Sequence, residues 1–102
     1  MPGAEPMANV EACRKASEFF GVPIGLHWYN WHEIAFDTLY PEYFPPQPRF
    51  REGVKALQDA GFRVMPYING RLWDPKSKTW TEQGGEAAAA RQDNGQPYTE
   101  VY

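Results

Sequence analysis

The feature that most restricts the fold of this chain is a repeat. A helix-spaced segment closed by a glycine and followed by an apolar run occurs twice, with the glycines, Gly21 and Gly61, 40 positions apart. In the first copy Val10, Cys13, Ala16, Ser17 and Phe20 fall at helical spacing, which predicts a helix over 9–20. Asn9 is the predicted N-cap, Glu11 favours the first turn, and Gly21 stops the helix. In the second copy Phe50, Val54 and Leu57 share one face of a predicted helix over 48–60, with Pro48 in its first turn. The runs that follow, 22–31 and 62–69, are β-branched and aromatic and read as strands, the first buried on two sides. Two strands each reached through a helix should lie parallel. Pro66 conflicts with a regular strand because it lacks a ladder donor.

Between the copies, 33–47 carries Pro41, Pro45 and Pro46 among Tyr40, Tyr43 and Phe44, which predicts a long ordered loop. The segment 71–102 reads as loop with a short helix near Glu86–Arg91 and a turn at Asp93–Pro97. At 102 residues the chain holds one domain at most. Two parallel strands with two or three helices leave two open sheet edges and one uncovered face, so the pattern looks incomplete by itself. The expected class is α/β: a partial (β/α)8 TIM barrel of about two βα units with parallel strands and long βα loops. The alternative is a small self-contained αβ module.

Several functional classes lack support in the composition. No apolar run approaches the ~20 residues of a membrane span, and no signal segment opens the chain, so no membrane role is expected. Cys13 is the lone cysteine, which excludes a disulfide framework or a cysteine zinc site. The net charge of −3 and ten scattered basic residues argue against nucleic acid. His27 and His32 do not make a metal motif, and Gly84-Gly85 lacks the phosphate-loop pattern, so neither a metal nor a cofactor is expected.

The stretch Gly21-Val22-Pro23-Ile24-Gly25-Leu26-His27-Trp28-Tyr29-Asn30-Trp31-His32, then Phe36-Asp37, Tyr40-Pro41-Glu42-Tyr43-Phe44-Pro45 and Arg63-Val64-Met65-Pro66-Tyr67-Ile68-Asn69-Gly70-Arg71-Leu72-Trp73-Asp74 resembles a family. It is a glycoside-hydrolase-like (β/α)8 family of largely uncharacterised bacterial proteins, carried as a domain of unknown function. The resemblance runs from the first helix to Glu100. It implies that this chain corresponds to early strands of the barrel, and that a later strand ending in the catalytic acid has no counterpart here. The missing remainder of the barrel is then a required partner, and the isolated chain should have little or no activity.

Ligands of such barrels sit at the carboxyl ends of the strands. Alternation puts Gly25, His27, Tyr29 and Trp31 on one face of the first strand, with Ile24, Leu26 and Trp28 on the other. On the second strand Met65, Tyr67 and Asn69 share a face, followed by Arg71, Trp73 and Asp74. A sugar offers an apolar C–H face and a rim of hydroxyls. Trp28, Tyr29, Trp31 and Trp73 are candidate stacking surfaces, and His27, Asn30, His32, Asn69, Arg71 and Asp74 candidate hydroxyl partners. The structural alternative makes Trp28 and Tyr29 core residues and Arg71–Asp74 an ion pair. Hydrolysis needs two carboxyl groups, and of Glu33, Asp37, Glu42 and Asp74 the best placed as catalytic is Asp74. The expected ligand is an oligosaccharide or polysaccharide. A rival reading is a binding module that presents the Tyr40–Phe44 aromatics as an exposed patch.

Overall fold

A computed structural model describes residues 3–101. In chain order the elements are α1 (Pro6–Phe20), β1 (Gly25–Trp28), α2 (Phe50–Asp59), β2 (Arg63–Pro66), α3 (Lys78–Glu82) and α4 (Gly85–Ala88). They fall into two compact units. The first runs to Asp37 and resumes over Tyr43–Ile68; the second comprises Thr38–Glu42 and the chain from Asn69 on.

The first unit is an α/β layer of two parallel strands, registered Gly25↔Arg63, Leu26↔Val64, His27↔Met65 and Trp28↔Pro66. Helix α1 starts earlier than the spacing at Asn9 predicts. Glu5 is the N-cap, its Oε2 accepting the Ala8 N–H at 2.7 Å, and Pro6 takes the first turn, where its missing N–H costs nothing. The Asn9 side chain instead accepts from Gly3 N and donates to Gly3 O, holding the segment before the helix. Gly21 ends α1 with φ +70° and its N–H on Ser17 O, a left-handed cap that suits glycine.

Helix α2 begins two residues later than predicted. Pro48 and Arg49 occupy a turn closed by Phe50 N–H on Gln47 O, and Arg49 has φ +64°, which no α-helical residue adopts. The close approach of the helices fixes Gly53, where a Cβ would come within 2.6 Å of Pro6 Cβ.

The strands are shorter than predicted, and only one sheet face is covered. Gly25, His27, Met65 and Pro66 are exposed, whereas Leu26 and Val64 are half-buried and Trp28 is fully buried. The core under the covered face comprises Val10, Cys13, Trp28, Leu57 and Phe62. Full burial of residues such as Trp28 and Leu57 contributes about 1.5–3 kcal/mol each. The conflict at Pro66 resolves by parity. Arg63 and Tyr67 donate to Ile24 O and Trp28 O at 3.1 and 2.9 Å, so the nitrogen of Pro66 faces away from β1.

Within the first unit, an antiparallel bridge pairs His32 with Pro46, while Glu33 N–H reaches Pro45 O and Gln47 N–H reaches Trp31 O. The exposed Tyr40–Phe44 patch of the rival reading is overturned: Tyr40 and Tyr43 are buried and only Phe44, 75% exposed, projects among the three rings.

In the second unit Ser77 caps α3 by accepting the Trp80 N–H. The predicted short helix is α4, ending at Ala88 because Ala89 is extended; α3 lies in a stretch read as loop. The turn after α4 is closed by Gln92 N–H on Gln96 O and Tyr98 N–H on Ala90 O. No helix among the described residues is long and apolar enough to cross a membrane.

Candidate functional site

The uncovered sheet face of the first unit carries an aromatic cluster at the carboxyl end of the strands. His27 leaves β1 on the exposed side, Tyr29 follows just past its end, and Tyr67 follows β2, so alternation brings all three to one surface. Tyr29 and Tyr67 stack with centroids 4.7 Å apart and planes 18° apart. His27 lies 4.6 Å from Tyr29 and 5.8 Å from Tyr67. Phe36, from the loop, completes the group at 5.5 Å from Tyr29 and 5.7 Å from Tyr67. His27 is exposed and the other three rings are half-buried. This is a compact aromatic cluster in which the His27 and Phe36 rings tilt by 48–67° to the stacked tyrosines.

Trp28, Trp31 and His32 are placed elsewhere. Trp28 is 0% exposed, packs at 5.1 Å against Phe50 of α2 and donates its Nε1–H to Gly3 O. Trp31 was expected beside His27 and Tyr29, but β1 ends at Trp28 and strict alternation ends with it. Its indole turns to the helix side, stacks on Tyr43 at 5.9 Å, meets Phe50 at 5.4 Å and donates Nε1–H to Tyr67 O at 2.8 Å. His32, 4% exposed, sits edge-on to Trp31 and Tyr43, and neither of its ring nitrogens has a hydrogen-bond partner among the described residues. These three rings offer no open face to a ligand and form the wall behind the loop. Asn30 is half-buried just past β1.

The second unit holds Asn69, Arg71, Trp73 and Asp74. Asn69 Oδ1 accepts the N–H groups of Arg71 and Leu72, both at 2.9 Å. The Arg71–Asp74 ion pair of the structural alternative is not formed: the Arg71 guanidinium makes a two-pronged pair with Glu100, which sequence spacing could not identify at 29 residues' separation. Trp73, 38% exposed, meets Trp80 edge to face at 6.3 Å. Gly85 lies so close beneath it that a Cβ would come 2.8 Å from both Trp73 Cε2 and Trp80 Cα.

Asp74 uses both carboxyl oxygens on backbone, Oδ1 accepting from Lys76 N and Oδ2 from Leu39 N at 2.8 and 2.9 Å. The bond from Lys76 and that from Leu39 hold its carboxyl below the usual carboxylate range. Hydrogen bonds to both oxygens favour the ionised form of this carboxyl. Glu42 is similarly engaged, its Oε1 accepting from Thr79 N and Thr79 Oγ1, and those two bonds lower its pKa. Glu33 and Asp37 are exposed. No group of three or more His, Cys, Asp or Glu side chains among the described residues could hold a metal ion.

Sequence reasoning left Phe36 and Tyr67 out of the site. Tyr67 was legible through its shared parity with Met65, but Phe36 follows no period and reaches the cluster only through the loop path.

A small α/β layer with an aromatic surface at its strand ends is the class that this geometry defines. The chain belongs to the family of the domain of unknown function DUF6259, whose model matches residues 3–102. It is similar to two curated proteins, named "Putative glycoside hydrolase" and "Putative glycoside hydrolase 22789". One, from Bacteroides thetaiotaomicron, is 48% identical over 99% of this chain and 15% of its own length. The other, from Monosiga brevicollis, is 32% identical over 88% of this chain and 8% of its own length. The chain therefore spans only about a sixth or less of these relatives. No solved structure matches it.

Proposed function

We propose that this chain forms two βα units of a glycoside-hydrolase-like (β/α)8 barrel and supplies a sugar-contacting wall of its active site. The observation that carries this reading is the stacked Tyr29–Tyr67 pair with His27 and Phe36 on the sheet face opposite the first unit's helices, at the carboxyl ends of parallel strands. The C–H face of a pyranose packs on such rings, while the His27 imidazole and the tyrosine hydroxyls bond its hydroxyl rim. Trp73, held by Trp80 and Gly85, supplies a further stacking surface in the second unit, and Asn69 and Arg71 set the turn that leads to it. The names of the relatives support a carbohydrate ligand.

In this reading hydrolysis draws its two carboxyl groups from outside this chain. Asp74 acts as a brace for the loop at Leu39 and Lys76. Calorimetric titration of the chain with a panel of oligosaccharides tests the proposal. Binding should be measurable for at least one and fall at least about tenfold in Tyr29→Ala and Tyr67→Ala, as loss of roughly 1.4 kcal/mol requires. Arg51→Ala, on the exposed side of α2, should leave it unchanged. Equal affinity in all four proteins would overturn the assignment of the wall.

A further inference from the structure

Two Asn-Gly pairs occur in the chain, Asn69-Gly70 and Asn94-Gly95. With no Cβ on the following residue, its backbone nitrogen can approach the asparagine side-chain carbon closely. The structure treats the two pairs differently. At Asn69 two backbone N–H groups, of Arg71 and Leu72, converge on Oδ1 at 2.9 Å each. When the nitrogen of Gly70 adds to Cγ, negative charge develops on that same Oδ1, so the two donors stand where an oxyanion hole would place them. The space around Gly70 is open, as it is around Gly95, since a Cβ built at either meets nothing within 4 Å, so access does not separate the two pairs.

At Asn94 a single donor, the Gln96 N–H at 3.0 Å, reaches Oδ1. The nucleophile is also occupied there, because the Gly95 N–H is donated to Gln92 O at 2.9 Å with φ at +83°.

We infer that Asn69 is a site of self-modification, closing to a succinimide and opening to aspartate and isoaspartate in the folded protein. The Gly70 nitrogen loses its proton to solvent base and forms a bond to Cγ. The tetrahedral carbon then expels the side-chain amide nitrogen, which takes a proton from the solvent acid formed in the first step and leaves as ammonia. Water adds across one of the two imide C–N bonds, and no oxidant or reductant takes part. The isoaspartate product routes the main chain through the side-chain methylene and carries a new negative charge. Both bonds that shape the 69–72 turn are then lost, and with them the setting of Arg71 and Trp73. The inference rests on the turn geometry alone and stands whatever ligand the aromatic surface takes.

The two sites are separable in one digest, because cleavage after Arg63, Arg71 and Arg91 puts Asn69 in residues 64–71 and Asn94 in residues 92–102. The intact chain is incubated at mildly alkaline pH, native and in denaturant, and isoaspartate at each site is followed by mass spectrometry. In denaturant the two rates should be alike. In the native protein Asn69 should react about tenfold faster than Asn94 and faster than Asn69 does in denaturant, a gain below that of a full oxyanion hole. A native Asn69 rate at or below either reference overturns the inference.

Discussion

Gly53 shows how one missing methyl sets the spacing of two helices. A Cβ there would overlap Pro6 Cβ at 2.6 Å, in the first turn of α1. Gly53→Ala should therefore destabilise the first unit by about 1–3 kcal/mol, the usual cost of overpacking, read as a lower urea midpoint at unchanged slope. His32 presents the opposite case, a buried ring whose two nitrogens have no partner among the described residues. His32→Phe removes the polar atoms while keeping a flat ring between Trp31 and Tyr43, so its stability should equal or exceed that of the parent. His32→Ala should cost about 2–5 kcal/mol by leaving a cavity. Equal losses in both variants by urea denaturation would contradict this and mean that the imidazole nitrogens are hydrogen-bonded in solution. Asp74 gives a pH dependence whose sign is fixed. Its folded pKa lies below the unfolded value, so the stability it contributes is present above that unfolded value, near 3.9, and is lost as pH falls through the folded one. Asp74→Asn should flatten the acid limb of a stability-against-pH curve and leave a lower plateau at neutral pH.

At the scale of elements, the positions that agree with the sequence reading are those fixed by local chemistry. Gly21 and Gly61 both take positive φ, at the ends of the two helices the spacing predicted, and the strands that follow are parallel. What failed depended on where regular structure stops. Alternation was carried through to Trp31, but β1 ends at Trp28, and the indole of Trp31 packs on the opposite side from His27. Arg71 paired with Glu100 rather than Asp74 because the chain returns from far along the sequence, which no spacing records. The face of β2 was legible to Tyr67, whereas Phe36 arrived through a loop without period. Pro66 illustrates an element rule that sequence leaves open: a proline is tolerated when its nitrogen lies on the edge away from the paired strand. Moving the proline by one position, as Tyr67→Pro, removes the donor to Trp28 O and should lower the urea midpoint clearly, whereas Pro66→Val should leave it unchanged or raise it.

For the whole molecule, the covered and uncovered faces of one short sheet divide the chain's roles. The covered face, with Trp28 and Leu57, supplies the burial that holds the first unit together. The uncovered face gathers rings that a packed core would have enclosed, and this chain spans only part of relatives named as glycoside hydrolases. The central claim is that this face takes a carbohydrate. The most direct measurement is a saturation-transfer and chemical-shift map of the isotope-labelled chain titrated with the oligosaccharide that binds in calorimetry. The account predicts that the largest changes fall on His27, Tyr29, Phe36 and Tyr67, with Trp73 as a second locus, while the buried Trp28 and Trp31 indoles receive no saturation. Changes centred on the α2 surface at Arg51 and Lys55, with the four rings unmoved, would contradict it.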